Sequence, residues 1–145
     1  MTAGAAVPSL ADFIEARLVD KEARARSLLK AARTAREIVA DPKSLGKLMP
    51  GWDSWPEVEA MCEQALREVA AHRAILAEHC TWTDRYGPDP ILAVSQQNCI
   101  GCGFDSVEEP QSPTLEDCPT LRALAAIWSD HADFLPEWTP EAVST

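Results

Sequence analysis

The chain lacks most of the signatures that announce a common function, and each absence excludes something. It has no apolar run long enough to cross a bilayer. Met1 to Pro8 offer neither a charged n-region nor an extended apolar stretch, so no secretory signal is expected. A phosphate-cradling glycine loop, the His-Glu-x-x-His pair of zinc hydrolases and the Gly-x-Ser-x-Gly elbow are all missing. No catalytic constellation is therefore expected, and the chain reads as a non-enzyme. Cations are scarce beyond residue 50, where four Lys/Arg stand against seventeen Asp/Glu; that part is not expected to lie along a phosphate backbone. Internal repeats and low-complexity tracts are missing too, which argues against a solenoid or a long disordered tail.

What is present describes a globular protein. Apolar residues fill 46% and charged residues 25% of the 145 positions, enough for a single core. Residues 1–50 read as a helical arm and linker and residues 51–145 as an acidic body, within one structural domain overall. The net charge of −10 is unevenly divided: residues 1–50 carry nine Lys/Arg against six Asp/Glu, a surplus of +3, which leaves −13 on the rest. Either the two parts attract each other or the acidic part meets a basic protein partner. Five cysteines and no secretory signal place the protein in the reducing cytoplasm, where thiols serve metal, catalysis or burial rather than disulfides.

Periodicity predicts a mainly α fold of three helices, the first of them long. Ser9 caps that helix, and Leu10, Ile14, Leu18, Ala25, Leu28, Ala32, Ala35 and Val39 recur at three- and four-residue steps until Asp41-Pro42 stops it. Unbroken, it would run roughly 45 Å; it either breaks near Asp20 to Ala25 or reaches out to a partner or a second copy. Arg17, Lys21 and Arg24 fall on or beside the stripe, where long stems can snorkel and pair with the acidic part. Arg26, Lys30 and Arg33 lie opposite. After a loop over residues 42–53, Ser54-Trp55-Pro56-Glu57 gives a capping box with proline in the first turn. The second helix should reach about Cys80, with Val58, Cys62, Ala65, Val69, Leu76 and Cys80 inward and with His72 and His79 projecting to one side. The third should run from about Pro119 to His131, burying Leu121, Leu124, Ala125, Ile127 and Trp128, ahead of Phe134, Leu135 and Trp138. Between them, residues 81–117 offer only Ile91 to Val94 as a short strand or turn. So long an irregular stretch needs an ordering agent.

Zinc would supply that agent. Cys99-Ile100-Gly101-Cys102-Gly103 is a Cys-x-x-Cys knuckle whose glycines let backbone N–H groups turn toward the thiolates. Cys118 precedes a helix-opening proline, and His79 and Cys80 end the second helix, so His79, Cys99, Cys102 and Cys118 can converge on one structural Zn2+ from three segments. Cys80 is the alternative fourth ligand, although its place on the stripe suits a buried apolar thiol, as does that of Cys62. An iron–sulfur cluster, or a redox pair of thiols, is the competing use of the knuckle; the redox pair would open a helix after a strand, and neither flank offers that. Four protein ligands would leave no position for a reactive water. His131, between Asp130 and Asp133, could serve as a general base but suits a helix C-terminus as a cap.

The stretch Cys118-Pro119-Thr120-Leu121-Arg122-Ala123-Leu124-Ala125, with Ser129-Asp130-His131-Ala132-Asp133-Phe134 and Pro136-Glu137-Trp138, resembles the C-terminal signature of an uncharacterised Cys/His-containing domain family of actinobacteria and their phages. The likeness continues through Leu10 to Leu18, which resembles Phe-x-x-Ala-Arg-Leu, a middle helix ending in histidine, and the Cys-x-x-Cys. Of the Lys-Arg-Arg run usual in that middle helix, Ala71-His72-Arg73-Ala74 keeps Arg73. The resemblance implies the same four-residue cluster and no assigned activity. The expected function is a zinc-stabilised interaction or regulatory protein, binding another protein or itself through the N-terminal helix. An acidic inhibitor that mimics DNA toward a basic protein is the first alternative. The second is a nucleic-acid binder using Arg26, Lys30, Arg33 and Arg36, although the overall acidity argues against a nucleic-acid partner.

Overall fold

Ser9 starts the first helix by exchanging hydrogen bonds with Asp12: the Asp12 amide donates to Ser9 Oγ at 3.2 Å and the Ser9 hydroxyl to the Asp12 carboxylate at 2.7 Å. In the computed structural model, which describes residues 7–38, 55–88, 96–104 and 109–141, this helix is α1, Leu10–Ile38. Its 29 residues run unbroken, roughly 43 Å. The polar stretch Asp20 to Ala25 does not interrupt it, because it holds neither glycine nor proline and Glu22 pairs with Arg26 one turn on. α2 is Trp55–Glu78, α3 is Trp82–Tyr86 and α4 is Pro119–Ala125. Short 3-10 turns follow at Ala126–Trp128 and Pro136–Trp138. Helix accounts for 65% of the described residues and none of them forms a strand. Val39, the stop at Asp41-Pro42, the loop over 42–53, the Ser54 cap and the segment Ile91 to Val94 lie outside the described residues. Among the described residues no helix is long and apolar enough to cross a membrane.

The chain forms two compact units, one of residues 18–71 and one of residues 1–17 with 72–145. In the first, α1 and α2 pair antiparallel. Leu18, Ala25, Leu29 and Ala32 are buried from α1, and Cys62 and Val69 from α2. The inward leucine is Leu29, 8% exposed, and not Leu28, 56% exposed; a step of four from Ala25 keeps to the stripe that Leu18, Ala25 and Ala32 define, and a step of three leaves it. Lys21 reaches Glu68 at 2.6 Å, Arg33 reaches Glu63 at 3.3 Å and Arg36 reaches Glu59 at 3.2 Å. Three cations of α1 are thus set against acids of α2, including an Arg33 expected on the outer face.

In the second unit the start of α1 enters an aromatic core. Leu10, Phe13 and Ile14 are buried there, together with Leu121, Leu124, Ala125 and Trp138. The Phe13 ring lies 5.0 Å from Trp138 and 6.0 Å from Phe134, tilted or edge-on, the geometry aromatic rings prefer. Arg73 pairs with Glu15 at 3.0 Å, and the Leu10 amide donates to Glu116 at 3.3 Å. The third expected helix is shorter than its pattern suggests. After Ala125 it tightens, and the Ser129, His131 and Phe134 amides each bond a carbonyl three residues back, a register favoured where Ser and Asp compete with the helix ladder. Ile127 is consequently exposed rather than inward.

Candidate metal centre

The centre is assembled from the ends of two helices and one tight loop. α2 ends at Glu78, yet the His79 amide still bonds Ile75 O at 3.0 Å, so His79 finishes the last turn. Arg85 closes that end by donating to Ala77 O at 2.8 Å and pairing with Glu78 at 3.3 Å. Arg85 belongs to α3, whose start is a full capping box: the Asp84 amide donates to Thr81 Oγ1 while the Thr81 amide donates to the Asp84 carboxylate, both at 3.1 Å. This short helix falls inside the stretch expected to be irregular. Its sequence signal, Thr81 followed by Asp84 three residues on, was available but carried by only five helical residues.

The knuckle is pinned on both sides. The Ile100 amide donates to Cys80 O and the Cys99 amide to Ser112 O, both at 3.0 Å. Its two glycines serve different purposes. Gly101 presses so closely on the end of α2 that a Cβ there would sit 2.5 Å from Glu78 O and 2.9 Å from His79 Cγ. Gly103 stands at φ +72° with open space around it, so it supplies the left-handed conformation alone. Cys118 is the N-cap of α4, its Sγ accepting from the Leu121 amide at 3.5 Å, and Pro119 fills the first turn.

These supports bring His79, Cys99, Cys102 and Cys118 together, with their donor atoms all within 4.8 Å of one another. The histidine atom involved is Nδ1, at 3.4 Å from Cys99 Sγ, 3.7 Å from Cys102 Sγ and 3.4 Å from Cys118 Sγ. Cys102 and Cys118 sulfurs are 3.4 Å apart. Sulfurs in a disulfide would lie at about 2.05 Å, and one imidazole nitrogen cannot share its single hydrogen-bonding site among three sulfurs. Around a tetrahedral ion with bonds of about 2.3 Å to sulfur and 2.0–2.1 Å to nitrogen, the edges come to about 3.8 and 3.6 Å. The cluster is therefore compatible with one metal ion. Cys99 and Cys118 are fully buried. Burial, with the Cys118 charge adding to it, pushes the Cys99 thiol up to about 12 against the Cys102 amide that holds it down. Burial also raises Cys118, against the Leu121 amide. A cation among the sulfurs reverses that preference and keeps them as thiolates.

The remaining candidates lie elsewhere. Cys80 offers the knuckle its carbonyl and stays out of the cluster, and Cys62 is buried in the helical pair. His72 packs edge-on to Trp128 with ring centroids 6.5 Å apart. His131 contacts Arg17 through Nε2, accepts from the Asp133 amide at 3.1 Å through Nδ1, and sets its ring 5.9 Å from Phe13. It braces the aromatic core and does not cap a helix. Neither the choice of Nδ1 nor the close approach at Gly101 could have been read from spacing.

A family comparison matches residues 7–140. The chain belongs to the family of unknown function DUF6221. No curated protein and no solved structure matches it. The DUF6221 match takes in all four cluster residues, both long helices and the Pro136–Trp138 turn, so the cluster lies within the part of the chain that defines its membership.

Proposed function

We propose that this DUF6221 member is a non-enzymatic protein-interaction module in which one structural zinc ion, held by His79, Cys99, Cys102 and Cys118, orders the region between α2 and α4. The observation that carries the reading is the convergence of three sulfurs and one imidazole nitrogen within 4.8 Å. Three soft thiolates and an imidazole at tetrahedral spacing suit Zn2+, and they are set too closely for a cluster of several irons. Four protein donors would complete the coordination, which supports a folding role over hydrolysis. Nucleic-acid binding through the N-terminal helix has less support, since Arg26, Arg33 and Arg36 each pair with a carboxylate. Native mass spectrometry of the purified protein tests the zinc: one ion per chain is expected, lost in Cys99→Ser. Protein that carries no metal, and melts at the same temperature with and without a strong chelator, would refute it.

A further inference from the structure

In the unit that holds the cluster, the last turns of α2 and the exposed side of α4 frame an open apolar groove of about 530 Å³. His72 and Ile75 form one wall; Thr120, Ala123 and Ile127 form the other. His72 and Ile75 share one face of α2, Thr120 and Ala123 share one face of α4, and Ile127 stands on the 3-10 turn that follows α4. Ile127 remains 55% exposed and Ile75 37%, apolar surface that the fold itself leaves in water.

The described residues of this unit carry a net negative charge, four arginines against eleven Asp/Glu. Glu116 and Asp117 stand immediately before α4 and Asp130 three residues beyond Ile127. All four arginines described in this unit are engaged at home: Arg17 with His131, Arg73 with Glu15, Arg85 with Glu78 and Arg122 with Asp117. Among the described residues no cation pairs with Asp130 or Glu137. The surplus charge facing solvent is negative.

We infer that this groove receives an amphipathic, basic helix of a partner protein. Apolar side chains at three- and four-residue steps fill the groove, and flanking Lys or Arg meet the carboxylates at its ends. A helix is favoured over an added strand because no strand among the described residues offers an edge to extend. A second copy is disfavoured because a twofold pairing would set these acidic rims against each other. The inference rests in one respect on the zinc reading: His79 ends α2 one turn beyond Ile75, and Cys118 stands just before Pro119 of α4, so an ion joining them sets the spacing of the two walls.

The test is selection of random displayed peptides of roughly 18 residues, about five helical turns, on the zinc-loaded full chain. Enriched peptides are then synthesised and titrated by fluorescence anisotropy. They are expected to show helical apolar periodicity and net positive charge. Their Kd should rise roughly ten-fold or more in Ile127→Asp and in Ala123→Arg, and roughly three-fold in Asp130→Asn, with Tyr86→Ser, outside the groove, unchanged. No enrichment, acidic or strand-patterned peptides, or affinities untouched by both groove variants would overturn the proposal. So would a wild-type dimer that Ile127→Asp dissolves, which would give the groove to a second copy. Native mass spectra of the same samples separate the two readings: peptide binding without retained zinc sinks the zinc reading alone, and retained zinc without peptide binding sinks the groove.

Discussion

At the scale of single residues, Gly101 and Gly103 differ although they sit two positions apart in one knuckle. At Gly101 the obstacle to a side chain is the backbone of Glu78, 2.5 Å away, and backbone cannot swing aside. Gly101→Ala is expected to cost about 1–3 kcal/mol, as overpacking does, and to weaken metal retention by displacing His79. Gly103→Ala meets only its own left-handed conformation, about 1–2 kcal/mol, and should leave metal retention nearly intact. Urea unfolding and chelator competition on both variants separate the outcomes; equal loss of metal would contradict this division. Cys118 is both the cap of α4 and a cluster member, and serine tells the roles apart. A serine hydroxyl caps a helix well and a lost cap is worth only about 1 kcal/mol, so Cys118→Ser should be nearly neutral if capping were its whole purpose. Release of zinc and destabilisation well beyond that figure are expected, measured by mass spectrometry and thermal melting. The grouping of the four cluster residues was legible because a Cys-x-x-Cys knuckle with a third cysteine and a helix-ending histidine has few other uses. The imidazole nitrogen that faces the sulfurs and the contact at Gly101 were not, since both depend on how α2 ends against a loop twenty residues away.

At the scale of elements, local rules that permit two answers explain where expectation and structure part. A stripe with 3.6 residues per turn accepts either a three- or a four-residue step, so Leu28 and Leu29 were both eligible; packing of Ala25 and Ala32 against α2 chose Leu29. Leu29→Ala is therefore expected to lose about 2–4 kcal/mol in urea unfolding, and Leu28→Ala to stay within about 0.5 kcal/mol. Equal effects would mean that α1 presents a different face. The long helices were readable because periodicity sums over many residues. α3 escaped because five residues carry almost no periodic signal, although its capping box stands in the sequence. α4 was overextended because its apolar pattern continues through Ile127 and Trp128, while the backbone had already changed to a tighter turn. Capping and turn chemistry, not hydrophobicity, decided both boundaries.

For the molecule as a whole, charges pair within each unit, and protons matter most at the sulfur cluster. The acidity read from composition is arranged locally: carboxylates on α2 pair with Lys21, Arg33 and Arg36 of α1 within the helical pair, and in the other unit the arginines are consumed internally, leaving its surface acidic. Within that unit the buried sulfurs give stability opposite pH dependences with and without zinc. Without metal, the Cys99 thiol, pushed by burial from an ordinary 9.0 up to about 12, favours the fold while it is protonated. That contribution is complete below about 9 and fades as the pH climbs toward 12. With metal the thiols must ionise, so protons compete with zinc and the stabilisation it confers shrinks as the pH falls. Each of the three sulfurs, Cys99, Cys102 and Cys118, surrenders one proton to the ion, worth about 1.4 kcal/mol per pH unit. At fixed free zinc, the stability gap between loaded and metal-free protein should widen by roughly 4 kcal/mol per unit between about pH 6 and 8, measured by urea unfolding across that range. A gap that stays level, or widens toward acid, would mean that these sulfurs do not give up protons to an ion, and the staple between α2 and α4 would have to be something other than a thiolate-bound metal.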